Sequence, residues 1–120
     1  MKETIDTIIQ WQKETFPDAD LEGQKQKWKE EYKEYLYTEI NTEEELFEIA
    51  DMIIVSAGIA RFDYWLGLDY LYETFAITYK RCGWCVNVWE AVEKKMEKNR
   101  KRVWKKQDNG SYHHENGIED

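Results

Sequence analysis

Apolar residues recur along this chain at three- and four-residue steps, which is the signature of helices buried on one side. Ile5, Ile8, Ile9 and Gln12 trace a short first helix, broken by Phe16-Pro17-Asp18-Ala19-Asp20. Trp28, Tyr32, Tyr35 and Leu36 predict a second helix over about residues 21–38. Thr42 and Glu45 form an S/T-x-x-E capping box that starts a third, running to about Phe62. Gly67 and Asp69 mark a break and a fresh start, with a further helix to about Tyr79. Lys80-Arg81-Cys82-Gly83 reads as a connector, and Val86 to Lys105 as the last long helix. The stretch QDNGSYHHENGIED is polar, turn-rich and expected to be loose. One proline and six glycines are too few for the turns of an all-β chain this long. The predicted fold is therefore all-α, a small bundle of four to five helices. It forms one domain over residues 1–106, followed by a polar tail over 107–120.

Composition narrows the function classes. The 120 residues carry 25 acidic and 17 basic side chains, a net charge of −8. That balance argues against a general nucleic-acid binder, which needs a basic surface. The longest charge-free run, Met52 to Ala60, is far short of a membrane span of about 20 residues. The start, MKETIDTIIQW, lacks the apolar run of a secretory leader, so a cytoplasmic protein with no membrane partner is expected. Charge is also segregated: residues 94–106 hold eight bases and one acid in an otherwise acidic chain. Basic side chains favour helix C-termini, so this alone does not require a function. Cys82-x-x-Cys85 lacks further soft ligands for zinc and lacks the strand–helix context of a redox pair, so ordinary thiols are expected.

The third helix carries the anomaly. From Leu46 to Phe62 it is apolar nearly all round and should be buried, yet Glu48 and Asp51 sit on it three residues apart. Two buried carboxylates cost several kcal/mol each unless they are paired or bound to a cation. Pairing with Arg61 or with a lysine of another helix is one solution. Glu31 and Glu34 repeat the spacing on the second helix, after Glu30, on the flank of its apolar stripe. If the two helices pack antiparallel, four carboxylates converge, and divalent cations would relieve their repulsion. Hard oxygen donors without His or Cys suit Mg²⁺, with Mn²⁺ as a substitute. Mg²⁺ held this way commonly also binds substrate phosphates.

The last helix adds cations. Its stripe reads Trp89, Val92, Met96, Asn99 and Val103, placing an amide where a core residue is expected. Lys95, Asn99 and Arg102 then lie along one side. An ammonium, an amide and a forked guanidinium suit a polyphosphate chain; a polar residue that fixes helix register is the alternative for Asn99. Lys98, Arg100 and Lys101 are expected to be solvated.

Glu30-Glu31-x-x-Glu34, thirteen residues, then Glu48-x-x-Asp51 resembles the EExxE…ExxD signature of the all-α nucleoside triphosphate pyrophosphohydrolases, the superfamily of MazG-like proteins and dimeric dUTPases. The likeness spans roughly residues 5–106. It implies that Glu31, Glu34, Glu48 and Asp51 ligate Mg²⁺, with Glu31 or Glu34 also serving catalysis. It implies the reaction (d)NTP + H₂O → (d)NMP + pyrophosphate, with a nucleotide-pool cleansing role. It further implies nucleotide contacts from Lys95, Asn99 and Arg102, a base pocket near Trp11 and Phe16, and a homodimer or dimer of dimers. The tail is a candidate to close over the site. A dUTP- or dCTP-specific enzyme, or a catalytically weak nucleotide- or metal-binding helical module, is the alternative.

Overall fold

The computed structural model describes residues 2–82, 88–106 and 112–114. They form five helices: α1 (Ile5–Thr15), α2 (Leu21–Leu36), α3 (Glu43–Ala60), α4 (Tyr64–Cys82) and α5 (Val88–Lys101). A short antiparallel ribbon, β1 (Trp104–Lys106) and β2 (Tyr112–His114), follows, with Trp104 opposite His114. The all-α expectation holds for the body of the chain. The tail is not wholly loose, because its Tyr112–His114 segment pairs with β1.

The helix starts are fixed locally. Thr4 and Thr7 cap α1 reciprocally, Asp20 accepts from Gly23 N–H at the start of α2, and Thr42 accepts from Glu45 N–H at the start of α3. Asp63 does the same for Leu66 N–H at the start of α4. α4 thus begins at Tyr64, with only three residues between it and the end of α3, not at Gly67 or Asp69. Gly67 lies inside α4 for a packing reason. A Cβ there would stand 2.4 Å from the backbone of Ala60, so glycine lets α4 lie close against the end of α3. Nor does α4 stop at Tyr79, since Lys80, Arg81 and Cys82 continue the helix.

α3 is the hub and packs against each of the other four helices. Every residue from Met52 to Ala60 is buried, as its nearly continuous apolar run demanded. Ile8 and Tyr35 are fully buried against it, as are Val92 and Met96. Gln12 is buried as well, and its side-chain amide donates to the Ile54 carbonyl. α5 ends at Lys101, four residues short of the sequence expectation. Val103 therefore leaves the helical stripe and is exposed, while Trp104 turns inward to pack on the core cluster.

Two cationic residues tie the frame together. Arg81, expected in a connector, ion-pairs with the buried Glu45 at 3.5 Å and donates to the carbonyls of Tyr35 and Thr38. Its guanidinium also lies over the Tyr35 ring. It thereby binds the ends of α2, α3 and α4 to one another. Arg100, expected to be solvated, instead donates twice, at 2.9 Å, to the buried carboxylate of Glu3. That bond anchors the N-terminal segment on α5.

Candidate metal centre

The α2–α3 packing brings the acidic pairs of the two helices together. One carboxylate oxygen from each of Glu31, Glu34 and Glu48 lies within 4.8 Å of the others. Glu31 is buried, Glu48 half-buried and Glu34 exposed, so the cluster opens to solvent on one side. Glu31 does not flank the α2 stripe but belongs to it, between buried Trp28 and Tyr35; Leu36, read as a stripe position, is exposed. The local reason is the 28–31–35 spacing, which sends all three side chains toward α3.

Asp51, one turn beyond Glu48, is the fourth carboxylate. Its Oδ2 lies 3.4 Å from Lys95 Nζ, which reaches across from α5. A lysine of another helix thus meets Asp51, as one sequence alternative proposed. Arg61 does not; it donates to the carbonyls of Gln12 and Phe16 and holds the turn after α1. Lys27, one turn earlier on α2, stands 3.4 Å from Glu31.

Two lysines do not neutralise four carboxylates. Burial, then the charge of Asp51, pushes the Glu31 carboxyl up to about 9, with smaller contributions from Glu34 and Glu48 and opposition from Lys27. Burial, then Asp51 and Glu34, pushes Glu48 up to about 7. Asp51 is also raised by burial, and Lys95 works against that rise. Hydrogen bonding to Glu31 lowers Glu48 and Asp51 in part, which offsets their rise without reversing it. Oε2 of both Glu31 and Glu48 is buried with no hydrogen-bond partner. The donor set is all oxygen, the anionic charge exceeds its cations, and two oxygens wait for a partner. These residues fit a hard divalent cation.

The cationic wall continues along α5. Lys95 and Asn99 are buried. Arg102, just past the helix end, donates from Nη1 to Asn99 Oδ1 at 3.0 Å. Burial lowers the Arg102 pKa and the charge of Asp51 raises it, so the guanidinium feels the carboxylate cluster. The structure therefore brings Lys95 into contact with the acidic cluster and couples Asn99 to Arg102.

Trp11 and Phe16 are buried and stand edge-to-face with each other. Each also packs on Trp104, at 6.0 and 5.1 Å between ring centroids. They do not present an open stacking face. Trp104 is half-buried and lies beside the Arg102 guanidinium.

Sequence reasoning missed Phe47 and Lys98. An open groove of about 570 Å³ runs between α3 and α5, bordered by Phe47, by Lys94, Lys95 and Lys98, and by Glu43, Glu44, Glu48 and Glu97. The ammonium groups of Lys95 and Lys98 sit 5.7 and 5.3 Å from the centre of the Phe47 ring. Their helical spacing, Lys95-x-x-Lys98, was the available signal. Cys85 lies outside the described residues, as do most of the tail residues that could cover the site.

Compared with family models, with curated proteins and with solved structures, the chain returns no match. Among the described residues, no helix is long and apolar enough to cross a membrane.

Proposed function

We infer that the protein is a divalent-cation-dependent nucleoside triphosphate pyrophosphohydrolase, converting (d)NTP and water to (d)NMP and pyrophosphate in the manner of MazG-like enzymes. The observation that supports this best is the convergence of Glu31, Glu34 and Glu48, with two of their oxygens buried and unpartnered beside a groove that three lysines share with four glutamates. In this reading Glu31, Glu34, Glu48 and Asp51 hold Mg²⁺. The bound ion supplies charge neutralisation at the phosphates and lowers the pKa of a bound water. Lys95 and Lys98 attract the polyphosphate into the groove. Arg102, oriented by Asn99, meets negative charge developing on the phosphate chain. Glu34 is the solvent-facing carboxylate and is assigned to orient the attacking water and take its proton. Trp104, the half-buried ring of its cluster, is assigned the contact with the base, and Trp11 and Phe16 support it from behind.

The test is pyrophosphate release from the common NTPs and dNTPs, with Mg²⁺ and with EDTA. Release with Mg²⁺ and none with EDTA is expected, with Mn²⁺ substituting. Nucleotide binding without turnover in any metal would replace the enzyme with a binding module. A single strongly preferred base would make it a dedicated dUTP- or dCTP-type enzyme.

A further inference from the structure

Glu3 precedes the first helix, yet it is only 4% exposed. It meets α5 through both its backbone and its side chain. The Trp89 Nε1–H donates to the Glu3 carbonyl at 3.1 Å, and the Glu3 N–H donates to Glu93 Oε2 at 3.1 Å. Arg100 Nε and Nη2 each donate to one carboxylate oxygen, both at 2.9 Å, and the Thr7 hydroxyl adds a bond at 2.7 Å. The Arg100 hydrogen bonds outweigh burial and hold the Glu3 carboxyl below its ordinary value. A forked, charge-assisted pair of this kind fixes orientation as well as distance.

At 100° per residue, Trp89, Glu93 and Arg100 lie within about 40° of one another around α5. Lys95 and Asn99 lie about 120° away, on the face that meets the interior. Glu3 therefore grips one strip of α5, and the neighbouring strip carries the groups beside the carboxylate cluster.

α1 is attached to this arm of the molecule at two places. At its start Glu3 holds Arg100. At its far end Trp11 and Phe16 pack edge-to-face on Trp104. Between the two attachments runs a short chain of bonds. The Asn99 carbonyl is part of the planar peptide that joins Asn99 to Arg100, so it moves with Arg100. That carbonyl accepts from Trp104 Nε1–H at 3.1 Å, and Asn99 Oδ1 accepts from Arg102 Nη1 at 3.0 Å. α5 ends at Lys101, so these residues occupy a last turn, where helices fray.

We propose that Glu3 is a positioning residue for the nucleotide: through Arg100 it fixes the last turn of α5, and with it the Asn99 carbonyl, Arg102 and Trp104. This rests on the contacts assigned above to Arg102 and Trp104. It does not involve the carboxylate cluster, whose lysine, Lys95, is held by Asp51.

The test uses Glu3→Gln, Arg100→Gln and the two combined. An open groove of about 420 Å³ borders Glu3 and Arg100, so the remaining partner can reach water and the fold is expected to be kept. The first readout is hydrogen exchange of indole N–H groups by NMR. The Trp104 N–H should exchange roughly 10-fold faster in each variant. The Trp28 N–H, bonded to Thr74 Oγ1 on α4, should be unchanged. The second readout is calorimetric binding of the α,β-imido analogues of dUTP, dCTP and ATP with Mg²⁺. The Kd of the analogue that binds should rise roughly 2–30-fold. The double variant should be no weaker than the weaker single one, since both remove the same bond. The Kd for Mg²⁺ alone should stay within about twofold, as expected for a distant site. Unchanged exchange at Trp104 overturns the proposal, and so does equal acceleration at Trp28, which is a general loss of stability. Faster exchange at Trp104 with an unchanged nucleotide Kd overturns it as well. A wild-type protein that binds none of the three analogues overturns the nucleotide reading instead, and exchange at Trp104 still decides whether Glu3 fixes this turn.

Discussion

Two acidic sites, one buried and one half-buried, lie one turn apart on α3 and behave oppositely. Glu45 is fully buried and its Oε2, like that of Glu48, has no hydrogen-bond partner, but the Arg81 guanidinium stands at ion-pair distance, 3.5 Å, from that oxygen and the Asn41 N–H donates to the other. Its charge is answered by the chain itself, so it works as a joint between helices. Glu48, three residues on, faces Glu31, Glu34 and Asp51, and its Oε2 has no hydrogen-bond partner. Burial of a carboxylate therefore does not mark a functional site here. A surplus of carboxylate over local cation does, because only the surplus calls for a ligand from outside.

Four measurements can break or sharpen that contrast. The largest effect is expected from Glu48→Gln, which removes a metal-holding charge and keeps the shape. Pyrophosphate release should fall at least ~100-fold, as losses at metal sites commonly do, while the metal-free protein becomes no less stable. Full activity in this variant would overturn the metal-site assignment. Next is Arg81→Met, which leaves Glu45 charged and alone in the core. Breaking a buried pair from one side costs about 3–5 kcal/mol. Urea denaturation should show that loss, and Mg²⁺ should not restore it. If Glu48→Gln were the more destabilising of the two, the contrast would be reversed.

The third measurement is pH dependence. The folded pKa values of Glu48 and Glu31, about 7 and about 9, stand above the ordinary value of 4.5. In that window the folded state binds more protons than the unfolded state, so stability falls as pH rises. Metal-free protein should therefore lose stability between about pH 4.5 and 9 by thermal unfolding. Mg²⁺ should flatten the slope, because the ion replaces the proton. A stability curve unaffected by Mg²⁺ at pH 9 would count against a cation at this cluster. The smallest effect belongs to Lys98→Ala at the groove's rim. A rise in KM of roughly 2–10-fold with kcat nearly unchanged is expected, because a charge at the rim attracts substrate more than it stabilises the transition state.

Much of this was legible without coordinates. The capping box at Thr42 and the apolar run of α3 are local signals, and they fixed the start of that helix and the buried hub. The ExxE and ExxD spacings placed each acidic pair on one helix face by geometry alone. The errors lie where a residue's role depends on a neighbour distant in sequence. Gly67 read as a helix break because its cause, the backbone of Ala60 pressed against it, is a tertiary contact. Arg81 read as a connector and Arg100 as solvated because their partners, Glu45 and Glu3, are remote along the chain.

The sequence by itself determined that this is a helical bundle with an acidic pair on each of two adjacent helices and a basic segment near its end. Local hydrogen bonding, capping and side-chain periodicity decide those features, and all act within a few residues. Only the tertiary structure decided which charges meet. α2 against α3 joins the four carboxylates, α5 brings Lys95 to Asp51 while Arg81 goes to Glu45, and the outer face of α4 is left uncovered. Charge compensation depends on distances of a few ångströms between segments tens of residues apart, and only the packing of the helices sets those distances.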